Sequence, residues 1–102
     1  MSGISEAITS GITREELAQL PKDHVVLIDV RSAEEFAEGS VPGARNVLPD
    51  RLPDEQFPSG ALVVTVCNHG GGRSQGAAKQ LHERGVDARY LVGGVKGPKP
   101  GH

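Results

Sequence analysis

The chain has 102 residues, 11 basic against 13 acidic, and a formal net charge of −2. That length suits one domain with a core of its own, and the charge balance leaves no footprint for nucleic acid or an anionic membrane. A single cysteine, Cys67, excludes an internal disulfide framework and a multi-cysteine metal site, and three aromatics (Phe36, Phe57, Tyr90) make no base-stacking platform.

No apolar run approaches the ~18 residues that cross a bilayer. The opening MSGISEAITSG lacks the basic start and apolar middle of a signal peptide, so a reducing, cytoplasmic setting is expected. Residues 1–11 are small and polar and are expected to be a flexible segment. Thr13 to Glu16 forms a T-x-x-E capping box, Leu17 and Leu20 follow at helical spacing, and Pro21 ends the short helix. Val25 to Val30, VVLIDV, has no polar alternation, which suits a central parallel strand covered on both faces. Ser32 to Glu35 is a second capping box that opens a helix through Glu38. Gly39 fits the left-handed position after it. Glu34 and Glu35 read here as first-turn and capping residues. Val41-Pro42-Gly43 is a turn, and Ala44 to Leu48 a short strand. Pro49, Pro53 and Pro58 punctuate residues 49–60 around one helical turn at 50–56.

Ala61 to Val66, ALVVTV, predicts the second strong strand. Ser74 to Arg84 predicts a helix with Ala77, Ala78 and Leu81 on one face and Gly85 as its stop. Ala88 to Val92 predicts the third. Gly93-Gly94 turns the chain, and VKGPKPGH is expected to fray, with residues 98–102 as a tail. The alternation argues for an α/β fold over residues 12–97, with a central, mainly parallel sheet and helices on both faces. The strand order does not follow from it.

Ligands of open α/β sheets sit beyond the carboxyl ends of the strands, where Cys67 is placed. The loop Asn68, His69, Gly70, Gly71, Gly72 leads to a helix start, whose free amides and dipole favour an anion. Glycines let successive amides point inward. A thiolate in such a cradle is stabilised and nucleophilic at neutral pH, and Arg73 offers a planar fork for an oxyanion. On strand context alone, Cys67 reads instead as a small buried hydrophobe. His69 reads either as a solvated loop residue or as one that orients substrate or lowers the thiol pKa.

VVLIDVRSAEEFAEGSVPGARNV resembles the rhodanese-domain pattern of a strand ending D-V-R, a helix containing E-E-F, and then G-[HS]-I/V-P-G-A-x-N. CNHGGGRSQGAAKQL resembles that family's active-site cysteine, loop, R-S pair and following helix, and ARYLVGGV its last strand and Gly-Gly turn. The resemblance spans residues 12–95. It implies a sulfurtransferase in which Cys67 takes a sulfane sulfur from thiosulfate or another small anionic donor and passes it to a thiol or cyanide. A protein sulfur donor or acceptor is left open. No metal and no organic cofactor are implied. Cys67 would be catalytic, and Asn68, His69, Gly70, Gly71, Gly72 and Arg73 would bind substrate. Asp29, Arg31 and Ser74 would be structural support.

The loop C-N-H-G-G-G-R is one residue longer than the family's usual C-x4-R. Longer loops resemble those of cell-cycle dual-specificity phosphatases and related arsenate reductases, which is the second reading. Against it, the loop has no carboxylate, Gly72 precedes Arg73 where that branch carries an acid, and Val66 precedes Cys67 in place of histidine. No second cysteine is available for an arsenate-reductase intermediate. A non-catalytic binding or redox-sensing module is the third reading. Pro98 stands near the place of the family's C-terminal aromatic, so modest stability and a mobile tail are expected.

Overall fold

A computed structural model describes residues 10–97. In chain order it contains β1 (Gly11–Ile12), α1 (Arg14–Ala18), a 3-10 turn (Lys22–His24), β2 (Val25–Asp29), α2 (Ala33–Ala37), β3 (Arg45–Asn46), a 3-10 helix (Pro49–Asp54), β4 (Leu62–Val66), α3 (Gly72–Glu83) and β5 (Asp87–Leu91). The five strands form one sheet in the order β1-β5-β4-β2-β3, and every neighbouring pair is parallel. The runs rich in β-branched residues occupy the middle, as their lack of polar alternation requires.

The period of two along β4 divides the core. Val63 and Cys67 face α3, packing with Ile28, Val30, Ala77, Ala78, Leu81 and Leu52. Val64 and Val66 face the opposite side, with Ile12, Leu91 and, from the α1 region, Leu17 and Leu20. Helices therefore cover both faces. Leu81 is wholly buried, a burial worth about 2 kcal/mol. Ala77 and Ala78 bring α3 close to the sheet. The Thr65 hydroxyl donates to Ser74 O at 2.7 Å, which ties the start of α3 to β4.

Both capping boxes are present. Glu16 receives the Thr13 amide at 3.0 Å, and Glu35 receives the Ser32 amide at 3.0 Å. Several element bounds differ from expectation. α3 begins at Gly72 instead of Ser74, because its first turn closes through Gln75 N to Gly71 O at 3.1 Å, with no polar cap side chain to mark it. The strand expected over 44–48 shortens to Arg45–Asn46. The helical turn expected at 50–56 is the 3-10 helix Pro49–Asp54. Gly11, placed with the flexible start, belongs to β1. Val92 N donates to Ile12 O at 2.9 Å and Tyr90 N to Ser10 O at 3.3 Å.

The fraying expected from Val95 does not occur over residues 95–97. Val95 N donates to Cys67 O and Lys96 N to Asn68 O, each at 2.8 Å. Pro98 and the tail after it lie outside the described residues. No helix among the described residues is long and apolar enough to cross a membrane.

Candidate active site

Cys67 follows β4 at its carboxyl end, and the strand alternation turns its side chain toward the start of α3. The residue is only 3% exposed, yet it floors a depression of about 300 Å³ lined by Asn68, His69, Gly71, Gly72 and Arg73. Its Sγ lies 3.1 Å from Ser74 Oγ and 3.9 Å from Gly71 O. Burial pushes the thiol pKa up. Hydrogen bonds from the Ser74 hydroxyl and amide, and from the amides of Gly71 and His69, outweigh it, so the thiol lies below its ordinary value. No side chain caps the start of α3, and of its first-turn amides that of Ser74 contributes to lowering the thiol pKa.

Ser74→Ala is expected to raise the Cys67 pKa and slow its alkylation by iodoacetamide at neutral pH about fivefold, the worth of one hydrogen bond. The pH profile of alkylation is the check. The wild-type midpoint should fall below that of an unfolded thiol, and the variant's should move upward.

Of the three consecutive glycines, Gly70 is the one whose backbone demands glycine. Its φ is +78°, and a Cβ there would stand 2.8 Å from both Gly93 N and Leu91 O. Gly71 has φ −91°, and Gly72 is the first helical residue. Nothing lies within 4 Å of a Cβ at either, and both line the open depression above Cys67.

The loop is held from beneath by a buried ion pair. Arg31 and Asp29 are 2% and 0% exposed. Arg31 Nε donates to Asp29 Oδ1 at 3.0 Å and Nη2 to Oδ2 at 2.8 Å. Nη2 also reaches Gly39 O at 2.6 Å, and Nη1 reaches Asn68 Oδ1 at 3.0 Å. Ser40 Oγ donates to Asp29 Oδ2 at 2.6 Å. Burial pushes the Asp29 pKa up, but Arg31 and Ser40 hold it below the usual carboxylate range. Arg31 thus spends its fork on Asp29 and Asn68, within the protein.

Arg73 stands at the rim, in the first turn of α3. Its Nη1 lies 2.9 Å from Glu35 Oε1 and its Nη2 3.4 Å from Oε2. Glu35 Oε2 also accepts from Asn68 Nδ2 at 3.0 Å. Arg73 first, then the Ser32 amide and Asn68, hold the Glu35 carboxyl well below the usual carboxylate range. In sequence, Glu35 reads only as a cap. Its second role depends on α2 lying across the mouth of the loop, which no local pattern shows.

His69 Nδ1 is 2.9 Å from Gly97 O, so its ring fastens the loop to the C-terminal segment. No local sequence pattern marks Arg14. Its Nη2 donates to Gly94 O at 2.7 Å and holds the Gly-Gly turn against the back of the loop. Among the described residues no three His, Cys, Asp or Glu side chains gather as metal ligands.

The family model for the rhodanese-like domain matches residues 13–99. A rhodanese-like domain protein from Staphylococcus aureus is 31% identical, with a TM-score of 0.72 over 89% of this chain and 94% of that one. The reduced CoADR-RHD of Bacillus anthracis is 29% identical, with a TM-score of 0.74 over 86% of this chain. The match spans only 16% of that larger protein. A Rhodopseudomonas palustris protein of unknown function, described as a possible tyrosine phosphatase, is 26% identical, with a TM-score of 0.68 over 84% of this chain and 76% of its own. With a single cysteine at the end of β4, a D-V-R strand end braced beneath it and a match over residues 13–99, the chain belongs to the rhodanese-like domain family.

Proposed function

We propose that this protein is a sulfurtransferase that carries sulfur as a Cys67 persulfide. The observation that favours it is the place of Cys67 at the floor of an open depression whose lining contains no carboxylate, with Sγ 3.1 Å from the Ser74 hydroxyl and the thiol pKa lowered. The Cys67 thiolate attacks the outer sulfur of a donor. With thiosulfate, the S–S bond breaks and sulfite leaves with its electron pair, while the cysteine becomes Cys–S–S⁻. The same amides that steady the thiolate then steady the persulfide. A thiol or cyanide acceptor attacks the terminal sulfur and regenerates the thiolate, in two separate half-reactions. No metal or organic cofactor takes part in this scheme. The proposed setting is the cytoplasm, with a small sulfur donor or a persulfide-bearing protein as partner.

The longer C-x5-R loop, and a neighbour described as a possible tyrosine phosphatase, keep oxyanion hydrolysis as the second reading. Phosphate-ester cleavage is helped by a general acid at the leaving oxygen. The carboxyl paired with Arg73 at the rim, that of Glu35, is held ionised and is poorly suited to give up a proton.

The deciding experiment is intact mass after incubation with thiosulfate and, separately, with an alkyl persulfide. The expected result is one added sulfur atom, discharged by cyanide and absent in Cys67→Ser. No adduct from either donor on a folded protein, with Cys67-dependent turnover of an aryl phosphate, would reverse the two readings.

A further inference from the structure

Each guanidinium at the loop already has a carboxylate partner. Arg31 is paired with Asp29 in the interior at 2.8 Å. Arg73 is paired at the rim with Glu35 at 2.9 Å, its side chain 46% exposed and that of Glu35 32%. Glu35 is not a loose surface acid that met an arginine. Its Oε1 also accepts from the Ser32 amide at 3.0 Å and the Ser32 hydroxyl at 3.1 Å, and its Oε2 from Asn68 Nδ2 at 3.0 Å. Asn68 is in turn held by Arg31. The carboxylate is therefore fixed in front of Arg73 by a cap on one side and by the cysteine loop on the other.

We infer that Glu35 is a specificity-determining residue that withholds the Arg73 fork from dianionic oxyanions and so directs the loop toward a donor sulfur of low charge. A tetrahedral dianion such as phosphate, arsenate or thiosulfate needs that fork to share its charge. It must first displace Glu35, and it meets the carboxylate's own negative charge on entry. A thiol-borne persulfide has one charge and no oxygens. It needs only the amides around Cys67, which Glu35 leaves free. The inference rests on the sulfur-transfer reading for its donor class: an organic or protein persulfide is the preferred donor, and thiosulfate a poor one.

Glu35→Gln removes the charge and keeps a side chain that completes a capping box. The binding probes are inorganic sulfate and phosphate, added at low salt, where charge effects on an exposed pair are least screened. Amide shifts of residues 68–73 report binding. The expected result is that Glu35→Gln binds both anions roughly three- to tenfold more tightly than wild type, in keeping with an exposed charge. Adding Arg73→Ala should abolish the gain. In sulfur loading, Glu35→Gln should lower the KM for thiosulfate relative to that for an alkyl persulfide by about the same three- to tenfold factor. Unchanged or weaker anion binding in Glu35→Gln overturns the inference, as does a gain that survives loss of Arg73. If wild type takes sulfur from no donor yet Glu35→Gln still tightens sulfate through Arg73, the sulfurtransferase reading falls and the charge-masking role stands. If wild type loads sulfur and sulfate binding is indifferent to Glu35, only the masking role falls.

Discussion

Asp29→Ala is expected to lower unfolding stability by about 3–5 kcal/mol, because it strands the Arg31 guanidinium in the interior without its counter-charge. Asp29 is 0% exposed, and it accepts from the Arg31 side chain, the Arg31 amide and the Ser40 hydroxyl. A domain of this size has only about 5–15 kcal/mol in all, so the variant approaches the limit of folding. Urea unfolding followed by circular dichroism measures the loss. A fall of under about 1 kcal/mol would show that the pair is hydrated or dispensable.

The paired change Asp29→Leu with Arg31→Met should recover most of the stability, since well-packed apolar residues often replace a buried ion pair without penalty. It should not recover sulfur loading, because Asn68 Oδ1 loses its donor and the loop its brace. The pH dependence has a definite sign. Asp29 is held below its ordinary value of 3.8 in the folded state, so its contribution is complete above that value and is lost as pH falls through the lower folded one. The Asp29→Ala deficit should stay level from neutrality down to about pH 5 and shrink below the ordinary carboxylate value.

Gly94→Ala should be nearly as damaging, by a different route. Gly94 has φ +59°, and a Cβ there would run into Cys67 O and stand 2.7 Å from the carbonyl atoms of Asn68. These are backbone atoms and cannot swing aside. The left-handed conformation costs about 1–2 kcal/mol for a side chain, and the forced shift about 1–3 kcal/mol more. The displaced groups are those that receive Val95 N and Lys96 N, so the loop should lose its register together with stability. Thermal unfolding and sulfur loading should both fall. Gly71→Ala is the contrast, with a negative φ and nothing within 4 Å, and it should cost only about 1 kcal/mol or less, the usual penalty of alanine at an N-cap. Equal effects at the two positions would show that glycine content, and not the close approach behind Cys67, is what the loop requires.

The periodic and punctuated parts of this chain are legible in its sequence. VVLID and LVVTV can bury both faces only in the middle of a sheet, T-x-x-E and S-x-x-E start helices wherever they fold, and Gly85 stops one. Such signals act over a few residues, so they need no partner to be read. Cys67 was placed at a strand end beside a helix start by the same local logic. Gly11–Ile12 does not read as a strand, because two residues carry no period; its pairing with β5 exists only once the fold brings the two side by side.

Other features belong to the tertiary structure. The binding of residues 95–97 to the cysteine loop, Arg14 on Gly94 O across 80 positions, and Glu35 on Arg73 across 38 all join distant segments. A capping glutamate looks the same in sequence whether it faces water or an arginine. Sequence alone determined that there is a thiol, a glycine loop and an arginine in order. Only the folded sheet decided that the thiol faces α3, that one glycine of the three is obligatory, and that the arginine's charge is already matched.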